Sequence, residues 1–235
     1  MFDVFEVAVP VEAFVAWTQS ALAPHGFAPG NALVLLGVCR DELMFTVESA
    51  VQDAWGPAFD ISSLGAMVFL GSSGMSAAAH HAPGIDGRRR FLLIVLPHIG
   101  VDTTGAIGWV ERPGQDERSS ACGALAGLQH ELAAGAVPSG IDHDDLEMSL
   151  LRLELLPRIP AGPVPDLAEL TEIARRCATD ELIRLAGGLV RDADADVAVV
   201  SGLVVHRSDG DHVIVAEAWI TLRDDGVRVA LALPA

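Results

Sequence analysis

The sequence contains no lysine and no tyrosine, so all fifteen basic residues among its 235 residues are arginines. Without a lysine amine, the chain cannot form a Schiff base with a carbonyl substrate or with pyridoxal phosphate, and it cannot supply the lysine of a phosphate-binding P-loop. Without a tyrosine, no phenol is available as a general acid or base. The side chains left for chemistry are imidazole, carboxylate, thiol and hydroxyl groups, with or without a metal ion.

Positive charge is also scarce, because 32 acidic residues outnumber the 15 basic ones and the net charge is −17 at pH 7. This balance argues against binding to nucleic acid or to an anionic membrane surface. No uninterrupted apolar run approaches the roughly 18 residues of a membrane-spanning helix. The first residues include Asp3 and Glu6 and lack the early positive charge of a signal peptide. We therefore expect a cytoplasmic protein.

Cysteine is rare too, with three residues in the chain. Without a secretion signal these are expected to be reduced thiols, which suit a metal site or catalysis better than disulfides. The apolar fraction of 51% excludes a disordered chain. At this length the chain can bury one sizeable core, so we expect a single domain over residues 1–235.

Short apolar runs alternate with helical patterns in most of the chain, and β runs follow one another at its end. The predicted strands cover residues 32–38, 91–96, 197–205, 213–222 and 227–233, with turns at Ser208-Asp209-Gly210 and Asp225-Gly226. The predicted helices cover residues 11–22, 41–55, 75–81, 122–134, 146–156 and 166–186, the last ending at Gly187-Gly188. This order predicts an α/β fold with a mostly parallel central sheet, flanked by helices and extended by C-terminal strands.

Two thiols and one imidazole lie where predicted strands end or a helix begins. Cys39 follows the first strand, His98 follows the central strand, and Cys122 opens a helix for which Ser119 or Ser120 is a suitable N-cap. In open α/β sheets, ligands bind beyond the carboxyl ends of the strands. Two cysteines and a histidine form a zinc donor set that leaves the fourth position open. The simpler alternative is that these cysteines only fill space in the core.

Other polar residues have simpler interpretations. Asp41 can cap the helix after Cys39, or it can orient a water molecule beside a metal. Cys177 lies on the apolar face of a predicted helix and is expected to belong to the core. Arg88-Arg89-Arg90 is expected to form a solvated turn. The polar residues around the Ser208 turn are expected to be exposed; they are His206, Asp209, Asp211 and His212.

Six segments in order resemble one protein family, the limiting-CO2-inducible B/C proteins, a divergent group of β-type carbonic anhydrases. The segments are Cys39-Arg40-Asp41-Glu42, Ser63-Leu64-Gly65, His81-Ala82-Pro83, Pro97-His98-Ile99-Gly100, Arg112-Pro113-Gly114-Gln115 and Ser120-Ala121-Cys122-Gly123-Ala124-Leu125. The resemblance covers about residues 30 to 130 strongly and the rest of the chain loosely. Each segment alone is a weak signal, whereas the ordered set is specific.

The resemblance implies a β-carbonic-anhydrase-like fold, a homodimer, and a zinc ion held by Cys39, His98 and Cys122 with water as the fourth ligand. The implied reaction is the reversible hydration of CO2 to bicarbonate by zinc-bound hydroxide. Phe59, Leu64 and Ile99 lie in segments suited to form an apolar wall for CO2.

The resemblance also implies two catalytic residues, a carboxylate and an arginine that pairs with it. Asp41 matches the aspartate that follows the first cysteine by two residues in ordinary β-carbonic anhydrases. Their arginine partner comes two residues later, where this chain has Leu43. Arg112 is the first candidate for the partner and Arg40 the second.

Two other functions remain open from the residues alone. One is a metal-free thiol hydrolase with Cys122 as nucleophile and His98 as base, which leaves Cys39 without a role. The other is a non-catalytic zinc protein that binds CO2 or bicarbonate, with Asp41 closing the fourth position.

Overall fold

The computed structural model describes residues 7–192, 194–224 and 226–234. The strands are β1 (Val9–Pro10), β2 (Leu33–Val38), β3 (Phe59–Asp60), β4 (Gly84–Ile85), β5 (Arg88–Leu96), β6 (His98–Gly100), β7 (Trp109–Val110), β8 (Ser119–Ser120), β9 (Ala195–Arg207), β10 (Gly210–Thr221) and β11 (Arg228–Ala230). The helices are α1 (Val11–Leu22), α2 (Phe45–Trp55), α3 (Gly71–His81), α4 (Gly123–Ala134), α5 (Leu146–Leu155) and α6 (Leu167–Asp192), with short 3-10 helices at Ala23–His25, Glu42–Met44, Leu64–Ala66 and Leu156–Arg158.

The sheet has a parallel centre and an antiparallel extension, in the order β1-β10-β9-β5-β2-β3. Strands β3, β2, β5 and β9 pair in parallel, whereas β10 pairs antiparallel with β9 and carries β1 and β11. Strand β6 continues the direction of β5 and pairs in parallel with a later part of β9. The predicted α/β fold, with a mostly parallel sheet extended by C-terminal strands, is confirmed.

The central strand β5 is apolar on both faces because helices cover both sides of the sheet. All residues from Phe91 to Leu96 are fully buried. Alternate residues enter two different apolar clusters, Leu92, Ile94 and Leu96 on one face and Phe91, Leu93 and Val95 on the other. Helices α1, α2, α4 and α5 contribute to the first cluster, α3 to the second, and the long helix α6 to both. No helix within the described residues is long and apolar enough to cross a membrane.

Helix α6 extends further than the sequence pattern predicts. It passes through Gly187-Gly188 and ends at Asp192, so the predicted end near Ala186 is wrong. Leu185, Ala186 and Leu189 are buried against the sheet. Burial of this face outweighs the cost of about 1 kcal/mol for each glycine within a helix. The predicted turn at Asp225-Gly226 lies partly outside the described residues, because Asp225 is not among them.

The predicted solvated turn at residues 88–90 is wrong, because these arginines begin strand β5. Arg90 is buried, and its Nε lies 3.7 Å from Asp196 Oδ2. Arg88 Nη1 donates to the same carboxylate at 3.3 Å. These arginines can lie in the sheet because Asp196, near the start of β9, compensates the charge of the Arg88 and Arg90 guanidinium groups.

The loop between β6 and β7 is organised by Asp102, whose side chain is 1% exposed. Asp102 Oδ1 accepts hydrogen bonds from Thr104 Oγ1 at 2.7 Å, Thr104 N at 2.9 Å and Ala106 N at 2.9 Å. Asp102 Oδ2 accepts from Arg118 Nη1 at 2.6 Å. These hydrogen bonds hold the pKa of Asp102 well below its usual value, and the bond from the Thr104 hydroxyl has the largest effect.

This carboxylate predicts a loss of stability in acid. The pKa of Asp102 is lower in the folded state than in the unfolded state. The stabilisation that Asp102 contributes to the fold is therefore complete above the ordinary aspartate pKa of about 3.9 and is lost as the pH falls towards the folded-state pKa. We expect Asp102→Asn to lower the urea midpoint at about pH 7, and the difference from wild type to shrink below about pH 4. The measurement is urea unfolding followed by tryptophan fluorescence at several pH values.

The control for this experiment is Asp116→Asn, which changes an exposed carboxylate in the next loop of the chain. It should leave the midpoint unchanged at every pH. A deficit of Asp102→Asn that stays constant with pH would show that the charge of Asp102 is not what stabilises the loop.

Candidate metal centre

The structure brings the three predicted ligands together. Cys39 directly follows β2, His98 is the first residue of β6, and Cys122 is the N-cap of α4. All three are buried, and their ligand atoms lie within 4.8 Å of one another. Cys177 is in the core on α6, as predicted, and burial raises the pKa of its thiol to about 11. The described residues offer no second cluster of this kind.

Strand register and one close backbone approach fix the positions of these ligands. Val38 pairs with Leu96, so the chain leaves β2 and β5 side by side at Cys39 and Pro97. Gly100 N donates to Ala121 O at 3.2 Å, which ties β6 to the residue before Cys122. A Cβ atom on Gly100 would lie 2.5 Å from Trp109 O, so the close packing of β7 against Gly100 requires glycine. The peptide bond between Ala121 and Cys122 is cis.

The two sulfur atoms lie 3.4 Å apart and form a hydrogen-bonded pair. The pKa of Cys39 is lowered because the Cys122 thiol donates to it, and His98 and the Asp41 N–H act in the same direction against burial. The same hydrogen bond, together with burial, raises the pKa of Cys122, although the N–H groups of Leu125 and Ala124 oppose this. Two thiolates at this distance repel each other in a buried site, and a divalent cation between them removes the repulsion.

The imidazole of His98 also fits a metal ion. His98 is fully buried, and its Nε2 has no hydrogen-bond partner among the described residues. Its Nδ1 lies 2.9 Å from His206 Nε2. A buried nitrogen without a partner is costly unless a ligand satisfies it. The Nε2 lone pair and the two sulfur atoms therefore match the donor set of zinc.

His206 was predicted to be exposed, and this is wrong because only 4% of the residue is accessible. Its Nδ1 lies 2.7 Å from Asp211 Oδ1. The two residues face each other across the β9–β10 hairpin. The turn at Ser208-Asp209 is a sequence signal for that pairing. The contact with His98 depends on the pairing of β6 with β9, for which the sequence offers no signal.

Asp41 is held by Arg112, which lies in the loop after β7. Arg112 Nη2 donates to both carboxylate oxygens of Asp41 at 3.1 Å. Asp41 Oδ1 also accepts from Leu43 N at 3.2 Å and so caps the 3-10 helix Glu42–Met44. Asp41 Oδ2 lies 3.8 Å from His98 Nε2. The carboxylate therefore both caps this helix and lies at the edge of the candidate centre.

The remaining donors of Arg112 are also in use. Its Nε donates to Glu42 Oε1 at 2.6 Å, and its Nη1 donates to Ser119 Oγ and to Ser120 O. Together with the contacts to Asp41, these bonds engage all three nitrogen atoms of the guanidinium group. The predicted N-cap role of Ser119 or Ser120 is wrong, because both form β8 and bind Arg112 while Cys122 occupies the N-cap position.

Arg40, the second candidate partner of Asp41, points elsewhere. Its Nε donates to both carboxylate oxygens of Glu147, at 2.9 and 3.0 Å. Glu147 Oε2 also accepts from Leu64 N at 3.0 Å. Arg40 thus joins the segment after Cys39 to helix α5, and the partner of Asp41 is Arg112.

A family model described as limiting CO2-inducible proteins B/C beta carbonic anhydrases matches residues 8–221. The chain belongs to this family. The match includes residues 30 to 130, where the sequence resemblance is strong, and most of the remaining chain, where it is loose. A comparison with curated proteins found no match.

Solved structures of limiting-CO2-inducible proteins share the fold. The crystal structure of the limiting CO2-inducible protein LCIB aligns with a TM-score of 0.82 at 26% identity, over all of this chain and 98% of that one. PtLCIB4, a homologue of LCIB, aligns with a TM-score of 0.83 at 24% identity, over 98% of both chains. The β-carbonic-anhydrase-like fold implied by the sequence is therefore that of the limiting-CO2-inducible group.

The arrangement around Asp41 predicts different costs for the two arginines. Arg112→Gln would leave a carboxylate that is only 11% exposed without its cation, so we expect a loss of about 2–3 kcal/mol in the free energy of unfolding. Arg40→Gln removes an ion pair whose arginine side chain is 54% exposed, so its cost should stay below about 1 kcal/mol. Urea unfolding of both variants measures the difference. Equal costs would contradict the assignment of Arg112 as the partner of Asp41.

Proposed function

We propose that this member of the limiting-CO2-inducible family is a zinc-dependent carbonic anhydrase that catalyses the reversible hydration of CO2 to bicarbonate. The observation that carries the proposal is the buried set of Cys39, His98 and Cys122, in which His98 Nε2 has no partner among the described residues. Family membership supports the same reaction. When bound to such a set, zinc lowers the pKa of a water molecule towards neutrality and so supplies a nucleophile.

Asp41 is the residue we propose to act on that water molecule. Its Oδ2 is the carboxylate oxygen near His98 Nε2, and both of its oxygens are fixed by Arg112. An ionised carboxylate accepts hydrogen bonds only, so it can orient the water and take up its proton. The Asp41 side chain is 11% exposed, which leaves it a route to exchange the proton with solvent.

Arg112 is a positioning residue in this proposal. Each of its three guanidinium nitrogen atoms already donates within the protein, to Asp41, Glu42, Ser119 or Ser120, so we assign Arg112 no contact with bicarbonate. Its contribution is to hold the Asp41 carboxylate in a fixed orientation.

The apolar surroundings of the site differ in part from the predicted CO2 wall. Leu64 packs against the apolar cluster that contains both ligand cysteines. Phe59 belongs to the cluster on the other face of the sheet and contacts the His81 ring at 5.5 Å. Ile99 alternates away from His98 and joins a third cluster. We retain Leu64 alone as a residue beside the proposed CO2 site.

The geometry favours a metal site over a metal-free hydrolase with Cys122 as nucleophile and His98 as base. The hydrolase leaves Cys39 without a role, although its sulfur atom lies 3.4 Å from that of Cys122. We further expect a cytoplasmic homodimer. Phe45, which is 72% exposed and follows the Glu42–Met44 helix, is an apolar side chain that a second copy could cover.

The metal part of the proposal predicts about one zinc per chain in the purified protein. Cys122→Ala should remove most of this zinc because one of the two thiolates is lost. Cys177→Ala is the matched control and should keep zinc, since Cys177 is a buried core cysteine outside the cluster. Elemental analysis of the three proteins measures the content. Equal loss in both variants, or a zinc-free wild type, would rule out the proposed site.

The catalytic part predicts that Asp41→Asn retains zinc but hydrates CO2 at least about tenfold more slowly. Asparagine can still accept the hydrogen bond from Leu43 N, so the helix cap should survive. The measurement is stopped-flow CO2 hydration with zinc content determined on the same samples. Full activity in this variant would limit Asp41 to capping, and an inactive zinc-loaded wild type would favour the non-catalytic binding protein.

A further inference from the structure

We propose that His206 and Asp211 are positioning residues that hold His98 as a metal ligand, by keeping its proton on Nδ1 so that Nε2 presents a free lone pair. The inference rests on the metal site of the proposed function. His206 bridges His98 and Asp211 through hydrogen-bond distances of 2.9 and 2.7 Å.

The donors and acceptors available allow only one direction for the two hydrogen bonds that link His98, His206 and Asp211. A metal ligand must offer its Nε2 lone pair, so the proton of the neutral His98 ring is on Nδ1. His98 Nδ1 then donates to His206 Nε2, which must be an acceptor. The proton of the neutral His206 ring is consequently on Nδ1, from which it is donated to Asp211 Oδ1. A carboxylate can only accept hydrogen bonds, so Asp211 sets the direction of both of these hydrogen bonds.

The sheet places the three side chains in line. His206 and Asp211 are opposite each other in the β9–β10 hairpin. His98 pairs in register with Val204, two residues before His206, so the two imidazoles lie on the same face. Their ring centroids are 5.1 Å apart, with an angle of 80° between the ring planes. Asp211 marks the outer end, where its side chain is 17% exposed beside a surface cavity of about 310 Å³.

Burial of the two imidazole rings strengthens the effect of these hydrogen bonds on the tautomer of His98. His98 and His206 are 0% and 4% exposed, so water does not compete for their ring nitrogens. If the proton of His98 were on Nε2, it would face the sulfur atoms and block coordination. Partners that hold a metal-bound histidine in the correct tautomer are typically worth about 10- to 100-fold in metal affinity.

The other polar pair of the hairpin does not reach the centre. His212 Nδ1 lies 3.1 Å from Gly210 O and 4.0 Å from Asp209 Oδ1. The Asp209 side chain is 69% exposed. Asp209 therefore provides a control two residues from Asp211, with the same charge and outside the chain of hydrogen bonds.

The test uses the zinc dissociation constant, measured on the full chain by competition with a chromophoric chelator at neutral pH. We expect His206→Phe, which keeps a ring but offers no acceptor, to weaken zinc binding about 10- to 100-fold. Asp211→Ala should weaken it in the same direction. His206→Gln should restore part of the affinity, because its amide oxygen can accept from His98 Nδ1. Asp209→Ala should bind zinc like the wild type.

Unfolding curves of the metal-free variants show which of them fold. If His206→Phe does not fold, Asp211→Ala at the outer end decides the question. Wild-type affinity in the folded variants, or an equal loss in Asp209→Ala, would overturn the inference.

The tautomer provides a readout that requires neither activity nor zinc. ¹⁵N NMR of the metal-free wild type should show the neutral His98 ring protonated at Nδ1, and a ring protonated at Nε2 would overturn the inference even if zinc binds. Failure of the wild type to bind zinc while His98 is protonated at Nδ1 would instead count against the proposed function. The two failures are therefore distinguishable.

Discussion

Two sulfur atoms 3.4 Å apart in a buried, largely apolar part of the molecule impose the main constraint on this structure. Both thiols cannot ionise there without a nearby cation, because their mutual repulsion is weakly screened. The apposition itself is built by the parallel sheet and by the contact of Gly100 with Ala121, which brings Cys122 beside Cys39. The packing thus creates a site in which both cysteines can ionise together only beside a cation.

Two pairs of hydrogen-bonded polar residues, from different parts of the chain, lie beside this site. One is Asp41 held by Arg112, and it brings a fixed carboxylate to within 3.8 Å of His98 Nε2. The other is Asp211 acting through His206 on the opposite nitrogen of the same ring. His98 thus lies between two carboxylates, and we propose that Asp41 orients water on one side while Asp211 orients the ligand on the other.

Much of the fold was predictable from local patterns. The apolar run Phe91–Leu96 predicts a buried strand because it is too short for a typical helix and ends at a proline. The end of α6 was not predictable, since Gly187-Gly188 is a helix-ending signal that burial of Leu189 overrides. Arg90 was misjudged for a related reason: its compensating charge, Asp196, is more than a hundred residues away in the sequence.

The sequence by itself determined which reactive side chains are available. It also placed the candidate ligands at the ends of strands and at the start of a helix. Residue identity alone shows that lysine and tyrosine are absent. Local periodicity is enough to place Cys39, His98 and Cys122 at these positions. Only the tertiary structure decided which side chains meet, such as Arg112 rather than Arg40 with Asp41, and His206 with His98. The reason is physical: these contacts depend on strand register and loop approach between distant segments, and local patterns carry no information about either.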